Sequence, residues 1–335
     1  MHMADALLSP AVGLGMWALS TGSIAVSTAK IKHQELTEKQ LPVMAVTGSF
    51  VFAAQMINFT IPATGSSGHI TGGVLLSGLL GGYPALLTMT AVLMIQCLFF
   101  ADGGLLALGC NIFNMGVIPC LIVYPLLFRP LLRKGLNTRR LTLASILSVV
   151  IGLQLGALSV VLETTVSGVT ELSTTQFLMV MQPIHLAIGL VEGIVTAATL
   201  VFVFRTRPEI LKNALERKAL PVRTSRKKMI TVLAILSVLL GSGLSLFSSV
   251  YPDGLEWSIE KVSSGNSEWE RDDSLHRVAA GIQNQTAVLP DYDFPDGKGS
   301  GTSLSGLVGG VLTFVLAGGA GLMILLIKKR KENSK

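Results

Sequence analysis

Residues 1 and 2, Met1-His2, offer three nitrogens to one metal ion: the α-amine, the backbone nitrogen of His2 and the His2 imidazole. With a free terminus these close a five-membered and a six-membered chelate ring. His69, in the run Gly65-Ser66-Ser67-Gly68-His69-Ile70-Thr71-Gly72-Gly73, adds a second imidazole. Four nitrogens suit square-planar or tetragonal Ni(II), Cu(II) or Co(II) rather than tetrahedral Zn(II). A backbone nitrogen binds only after losing its proton, which late-row metals drive better than Mg, Ca or Mn. Met1, His2 and His69 are therefore the candidate ligands. Met1 is expected to persist, because its removal generally requires a small second residue. No basic segment precedes the first apolar run to mark a cleaved signal peptide.

Other polar residues are placed to support such a site. Thr64, Ser66, Ser67 and Thr71 surround His69 with hydroxyls expected to orient its imidazole or its neighbours. Gln96, Asp102, Asn111 and Asn114 bracket two apolar runs and are expected to hold the amino-terminal segment by hydrogen bonds, Asp102 also neutralising positive charge. His185 and Glu192, seven residues apart, share a helical face in another apolar run. Ionisable groups at membrane depth default to a functional reading, and this pair is read as supporting the site rather than as ligands. Asp253 belongs to an acidic stretch, 251–302, that would raise the local cation concentration. His276, in the same stretch, is a candidate for transient metal contact.

The elements that must position these residues are helices in a membrane. Half of the 335 residues are hydrophobic and 14% are charged, with a mean hydropathy of +0.61, which excludes an ordinary soluble domain. Apolar runs recur at 8–29, 41–60, 70–82, 84–100, 105–128, 141–163, 181–204, 229–250 and 305–327. Backbone groups in lipid must pair internally, so these runs are helices. No ten-residue segments alternate with period two, which excludes a β-barrel. The fold class is all-α, a polytopic transmembrane bundle of about nine passes. Basic residues cluster at Lys30–Lys39, Arg129–Arg140, Arg205–Lys228 and Lys328–Lys331. The positive-inside rule puts these in the cytoplasm, the amino terminus outside and the carboxyl terminus inside. Parity asks for two short passes in 70–100, turning at Gly81-Gly82-Tyr83-Pro84; a re-entrant 70–82 is the other geometry. The net charge of +6 sits in these loops and is no nucleic-acid signal. Cys97, Cys110 and Cys120 are expected to be buried small hydrophobes.

Met-His at the terminus, Ser67 to Gly73, Gln96 leading to Asp102-Gly103-Gly104, and Asn111 to Met115 resemble the CbiM/NikM family. These are the substrate-capture subunits of energy-coupling-factor (ECF) transporters for nickel and cobalt. The chain departs from the family's usual start, Met-His-Ile-Pro-Asp-Gly, by reading Met-Ala-Asp-Ala at residues 3 to 6. Residues 251–335, entered through Tyr251-Pro252-Asp253-Gly254-Leu255, look like the small CbiN/NikN subunit fused to the M part at 1–250. The resemblance implies a multi-pass subunit of an ECF-type ABC importer in the cytoplasmic (inner) membrane, not an enzyme. Ni2+ or Co2+ is then the transported substrate, captured outside, and no organic cofactor is implied. Cobalt would supply cobalamin synthesis, and nickel enzymes such as urease. The implied partners are a CbiQ/NikQ-like coupling subunit and CbiO/NikO-like ATP-binding subunits. Gly297 to Gly301 is not a P-loop, so ATP hydrolysis falls to those partners. A small-residue stripe, Ala18, Gly22, Ala25 and Ala29, would meet the coupling subunit or pack within the chain.

Two other readings use the same residues. A proton-coupled secondary transporter would work through His185 and Glu192. A rhomboid-like intramembrane protease would use Ser67 as nucleophile and His185 as its base.

Overall fold

The computed structural model describes residues 1–33, 40–216, 227–263, 273–294 and 301–333. Glu268, Glu270, Asp272 and Asp296 of the acidic stretch, and basic residues from Arg217 to Arg226, lie outside the described residues. The chain is mostly helical, and each apolar run of the sequence lies in large part on a helix. Among the described residues six helices are long and apolar enough to cross a membrane. They are α1 (Pro10–His33), α4 (Gly82–Phe100), α5 (Leu108–Arg133), α6 (Thr138–Ser167), α7 (Thr174–Thr206) and α12 (Gly301–Asn333). Between them lie α2 (Leu41–Gln55), α3 (Gly73–Leu80), α8 (Pro208–Glu216) and α9 (Lys227–Ser242). Two short polar helices, α10 (Gly254–Val262) and α11 (Ser274–Thr286), join α9 to α12. The protein is a polytopic helical membrane protein.

The run at 70–82 is apolar for a reason other than lipid. All eight residues of α3 are buried in the protein, and at 1.5 Å per residue the helix is only about 12 Å long. It ends at Gly81, whose φ of +81° turns the chain into α4. That turn lies against α8: a Cβ at Gly81 would come within 3.6 Å of the Ala214 carbonyl. Tyr124 of α5 donates to the same carbonyl at 2.9 Å, and Arg129 donates to Leu215 at 2.6 Å. α5 carries wide π-type turns over Phe113–Phe128, where Pro119 and Pro125 lack the amide hydrogen of a regular ladder. Near the other chain end, α12 packs on α9 so closely at Gly306 and Gly241 that any side chain on either would meet backbone.

One element departs from an all-helical reading. Strands β1 (Phe59–Ile61) and β2 (Ser66–Gly68) pair antiparallel with Phe59 opposite Gly68 and Ile61 opposite Ser66. Positive φ at Ala63 and Gly65 closes this hairpin. It carries His69 directly after its second strand.

Candidate metal centre

The amino terminus is built into the protein. Met1 is 5% exposed, and Met3, Leu7 and Leu8 are buried. Asn111 on α5 fixes Met3 from both sides, its Oδ1 accepting the Met3 amide at 2.8 Å and its Nδ2 donating to the Met3 carbonyl at 3.3 Å. The Gly104 amide also donates to that carbonyl at 2.9 Å. Asp5 caps the turn into α5 by accepting the Ala107 amide at 2.8 Å. Gly103, with φ of +78°, and Gly104 form the cradle. A Cβ at Gly104 would lie 2.4 Å from the Asp5 backbone nitrogen, and one at Gly103 would lie 3.3 Å from the His2 Cβ. No side chain fits there, which is the physical content of Asp102-Gly103-Gly104. Asn114 Nδ2 lies 3.8 Å from the Met3 sulfur and donates to Glu163 at 2.9 Å.

Met1, His2 and His69 come together at the hairpin end of the bundle. The His2 and His69 rings stack with centroids 5.3 Å apart and planes 20° apart. The Met1 amine donates to Asp253 Oδ2 at 2.6 Å, and His69 Nε2 lies 3.9 Å from the same oxygen. Among the described residues no three His, Cys, Asp or Glu side chains form a metal cage of their own. A site here depends on the terminal amine and main-chain nitrogen. A cavity of about 800 Å³ opens beside His2 and His69, lined also by Asp5, Asp102, Glu256 and His276.

Hydrogen bonds set the ring tautomers. His69 Nδ1 lies 3.0 Å from the Ile70 carbonyl, which can only accept, so Nδ1 carries the hydrogen and Nε2 keeps its lone pair. A relay does the same for His2. The Thr71 carbonyl takes a bond from Gln55 Nε2 at 2.7 Å, Gln55 Oε1 takes one from Gln96 Nε2 at 2.8 Å, and Gln96 Oε1 faces His2 Nε2 at 3.1 Å. Because the chain ends on a carbonyl, every amide is oriented and His2 Nε2 must donate. In neutral His2 the lone pair then sits on Nδ1, the nitrogen that closes a six-membered chelate ring. Nδ1 faces Asp102 Oδ1 at 3.2 Å.

The electrostatics favour neutral imidazoles. Burial, then the nearby ammonium of Met1 and then His2, lower His69 from 6.5 to about 4. Burial likewise lowers His2, with Asp102 opposing. Burial alone would raise Asp253, but the Met1 ammonium and then His69 outweigh it and hold this carboxyl well below the usual carboxylate range.

The hydroxyls of Ser66, Ser67 and Thr71 fix the neighbours of His69 rather than its ring. Ser66 and Ser67 do not orient the imidazole. Ser67 Oγ donates to the Tyr251 carbonyl at 2.7 Å, and Ser66 Oγ donates to the Ser67 and Pro252 carbonyls. Thr71 bonds Glu192 instead of His69. Glu192 accepts the Thr71 amide, the Thr71 hydroxyl and the Gly72 amide, each at 2.9 Å, and so grips the segment after His69. His185 Nδ1 bonds the Met181 carbonyl at 2.8 Å. No hydrogen bond joins His185 to Glu192 or to Ser67 among the described residues. His276 bonds Asp273 and the Asp5 carbonyl, supporting the amino-terminal turn. Sequence reasoning missed Gln55, whose signal was a lone amide inside an apolar run. It also left Asp253 undistinguished from the other acids around it.

The chain is thus a polytopic helical membrane protein whose buried terminus meets two histidines in a pocket open on one side. The family model described as "Cobalt uptake substrate-specific transmembrane region" matches residues 2–210, and the chain belongs to that CbiM family. A second model, the PDGLE domain, matches residues 227–326, so a CbiM part is fused to a CbiN-like part. A chain of Archaeoglobus fulgidus named, by inference, fused nickel transport protein NikMN is 31% identical over 94% of this chain and 96% of its own. Cobalt transport protein CbiM of Geobacter sulfurreducens is 27% identical over 81% of this chain and 80% of its own. A crystal structure described as a transition metal transporter superposes with a TM-score of 0.55 at 29% identity, covering 62% of this chain and 95% of that one.

Proposed function

We propose that the protein captures Ni(II) or Co(II) as transported substrate through the Met1 amine, the His2 amide nitrogen, His2 Nδ1 and His69 Nε2. The observation that carries this reading is a buried terminal amine beside the stacked rings of His2 and His69, the Nδ1 of His69 being taken by the Ile70 carbonyl so that its Nε2 is left to bind. Closing the chelate releases His2 Nδ1 from its contact with Asp102. Residues 1–250 form the capture domain, and residues 251–335 the CbiN/NikN-like part. The site faces outward, the carboxyl terminus lies in the cytoplasm, and the membrane is the cytoplasmic one. The turn at Gly81 packs against the Ala214 carbonyl, beside Leu215 and Arg129 on the arginine-rich side, which supports two short passes in 70–100, the first enclosed by protein, and about nine in all. ECF coupling and ATP-binding subunits supply the energy. The stripe Ala18, Gly22, Ala25 and Ala29 is exposed, which supports a partner helix on α1.

Glu192 is committed to three hydrogen bonds with the His69 segment, which favours this reading over a proton-coupled carrier built on it. Uptake of Ni(II) or Co(II) by cells expressing the chain should vanish when the ATP-binding subunits are deleted. Uptake that persists and follows the proton gradient would establish the carrier instead.

The pH dependence has a defined origin. His69 binds its proton only near pH 4 when folded, against 6.5 when unfolded. Its contribution to stability is therefore present above pH 6.5 and lost as pH falls toward 4. A nitrogen binds the ion through its lone pair, so coordination displaces protons from the donor groups, the His2 amide among them. Affinity therefore falls as pH falls. Calorimetry in buffers of different ionisation enthalpy counts the protons displaced.

A further inference from the structure

We propose that Asp253, from the carboxyl-terminal part of the chain, is a positioning residue of the metal centre. Its carboxylate holds the Met1 amine before the ion arrives and accepts an N–H from the same amine once the ion is bound. This rests on the reading of Met1, His2 and His69 as ligands, and it makes their site incomplete without the carboxyl-terminal part.

The two oxygens of Asp253 have separate tasks. Oδ1 caps α10, accepting the Leu255 amide at 2.8 Å and the Glu256 amide at 2.9 Å. Oδ2 takes the Met1 amine at 2.6 Å. The backbone around Asp253 is fastened to the hairpin that carries His69. The Ser67 amide donates to the Pro252 carbonyl at 2.8 Å, the Ser67 hydroxyl to the Tyr251 carbonyl at 2.7 Å, and Trp257 Nε1 to the Thr64 carbonyl at 3.0 Å. Gly254 lies against α7, where a Cβ would meet Ile188 at 2.8 Å and His185 at 3.2 Å. One short segment thus fixes Oδ2 relative to His69 and holds the amine there.

A chain terminus frays unless something ties it down. Met1 here is ordered by an acceptor that the amino-terminal domain does not itself provide. The charge beside Oδ2 also suits both states of the site. Empty, the amine is an ammonium with one positive charge. Loaded, a divalent ion that has displaced one proton from the amine and one from the amide again leaves one positive charge. A metal-bound amine keeps two N–H groups, so the bond to Oδ2 survives loading. Without the carboxylate the empty terminus can relax into water, whereas the loaded site must bury its charge without a counter-ion, and binding weakens.

Asp253→Asn separates the two tasks. Asparagine is as good a helix cap as aspartate, so its oxygen goes to the α10 amides and the amine loses a charged acceptor. Ni(II) titrations of full-length protein, native and extended by two residues before Met1, each with and without Asp253→Asn, form a double-mutant cycle. The expected result is a loss of about 10–100-fold on Asp253→Asn in the native-terminus protein, the scale of residues that orient a ligand. No further loss is expected in the extended protein, where the amine is gone from the site. A merely structural role would weaken both backgrounds alike and would overturn the proposal. So would Asp253→Asn binding as tightly as, or more tightly than, the parent, since Asp253 would then only compete with the ion. If extension alone leaves binding unchanged, the ligand reading fails, and the proposal with it.

Discussion

His2→Ala should lose tight Ni(II) and Co(II) binding while the folded membrane domain survives. The substitution removes one of four nitrogens and the six-membered chelate ring. Four-ligand transition-metal sites in small domains bind with an apparent 10–16 kcal/mol, so one nitrogen is worth roughly 3–4 kcal/mol, or several hundred-fold in affinity. The fold does not hang on the ring: Met3, Leu7 and Leu8 remain buried, and Asn111 still holds Met3. His2→Gln tests whether any polar side chain on the Gln96 relay suffices. It should fail as His2→Ala does, because an amide offers no comparable lone pair to the ion. Equilibrium dialysis of purified variants against Ni(II) reads the loss directly, and an affinity within a few-fold of the parent would remove His2 from the site.

Glu192→Leu should harm both stability and binding, and more than any other change away from the ligands. Glu192 is fully buried on α7 and satisfies the amides of Thr71 and Gly72 together with the Thr71 hydroxyl. Leucine strands these donors in an apolar interior. Each unsatisfied buried group costs about 1–3 kcal/mol, so a loss of roughly 3–5 kcal/mol is expected, the scale of breaking a buried charged network. The segment from His69 to Gly72 would then leave its place. Its carbonyl at Thr71 also anchors the Gln55–Gln96 relay, so the His2 tautomer would be released as well. Glu192→Gln retains one acceptor and should fall between the parent and Glu192→Leu. Thermal unfolding in detergent, monitored by size-exclusion retention, gives the stability term. Ni(II) titration of the surviving folded fraction gives the other. A Glu192→Leu protein with parental unfolding and parental affinity would show that the carboxyl is a bystander.

Much of this arrangement is legible in the residues alone. Met1, His2 and His69 are legible as a group because their nitrogens together suit one late-row ion, and the structure brings the three residues together. Asp102-Gly103-Gly104 is legible too, since two glycines after an acid mark a close backbone approach, and the approaching backbone is that of Met3 and Asp5. The number of apolar runs and their helical state follow from hydropathy and the need to pair backbone groups in lipid.

The rest depends on contacts that no local pattern encodes. α3 reads like a lipid-facing pass, yet it is apolar because protein surrounds it on every side. The hairpin at 59–68 is too short for strand periodicity and is fixed by pairing with residues 248–252 as much as by its own turn. Ser66 and Ser67 sit beside His69 in the sequence, so their hydroxyls invite a role at the imidazole. The extended backbone of β2 instead aims them at the Tyr251–Pro252 carbonyls. Asp253 is one carboxylate among many in a polar stretch. Only the docking of α10 on the hairpin selects it for the Met1 amine, 252 residues away along the chain.

The account stands on the terminal amine, and the most direct test leaves every side chain in place. Two residues added before Met1 turn its amine into an ordinary peptide nitrogen and change nothing else in the sequence. Ni(II) and Co(II) binding to purified protein with the native terminus should be tight, and the extended form should lose it while keeping its retention profile in detergent. The metal bound more tightly by the native form would then identify the cargo. Equal binding by both forms would contradict the Met1–His2 chelate and leave His69 and the cavity beside it to explain capture.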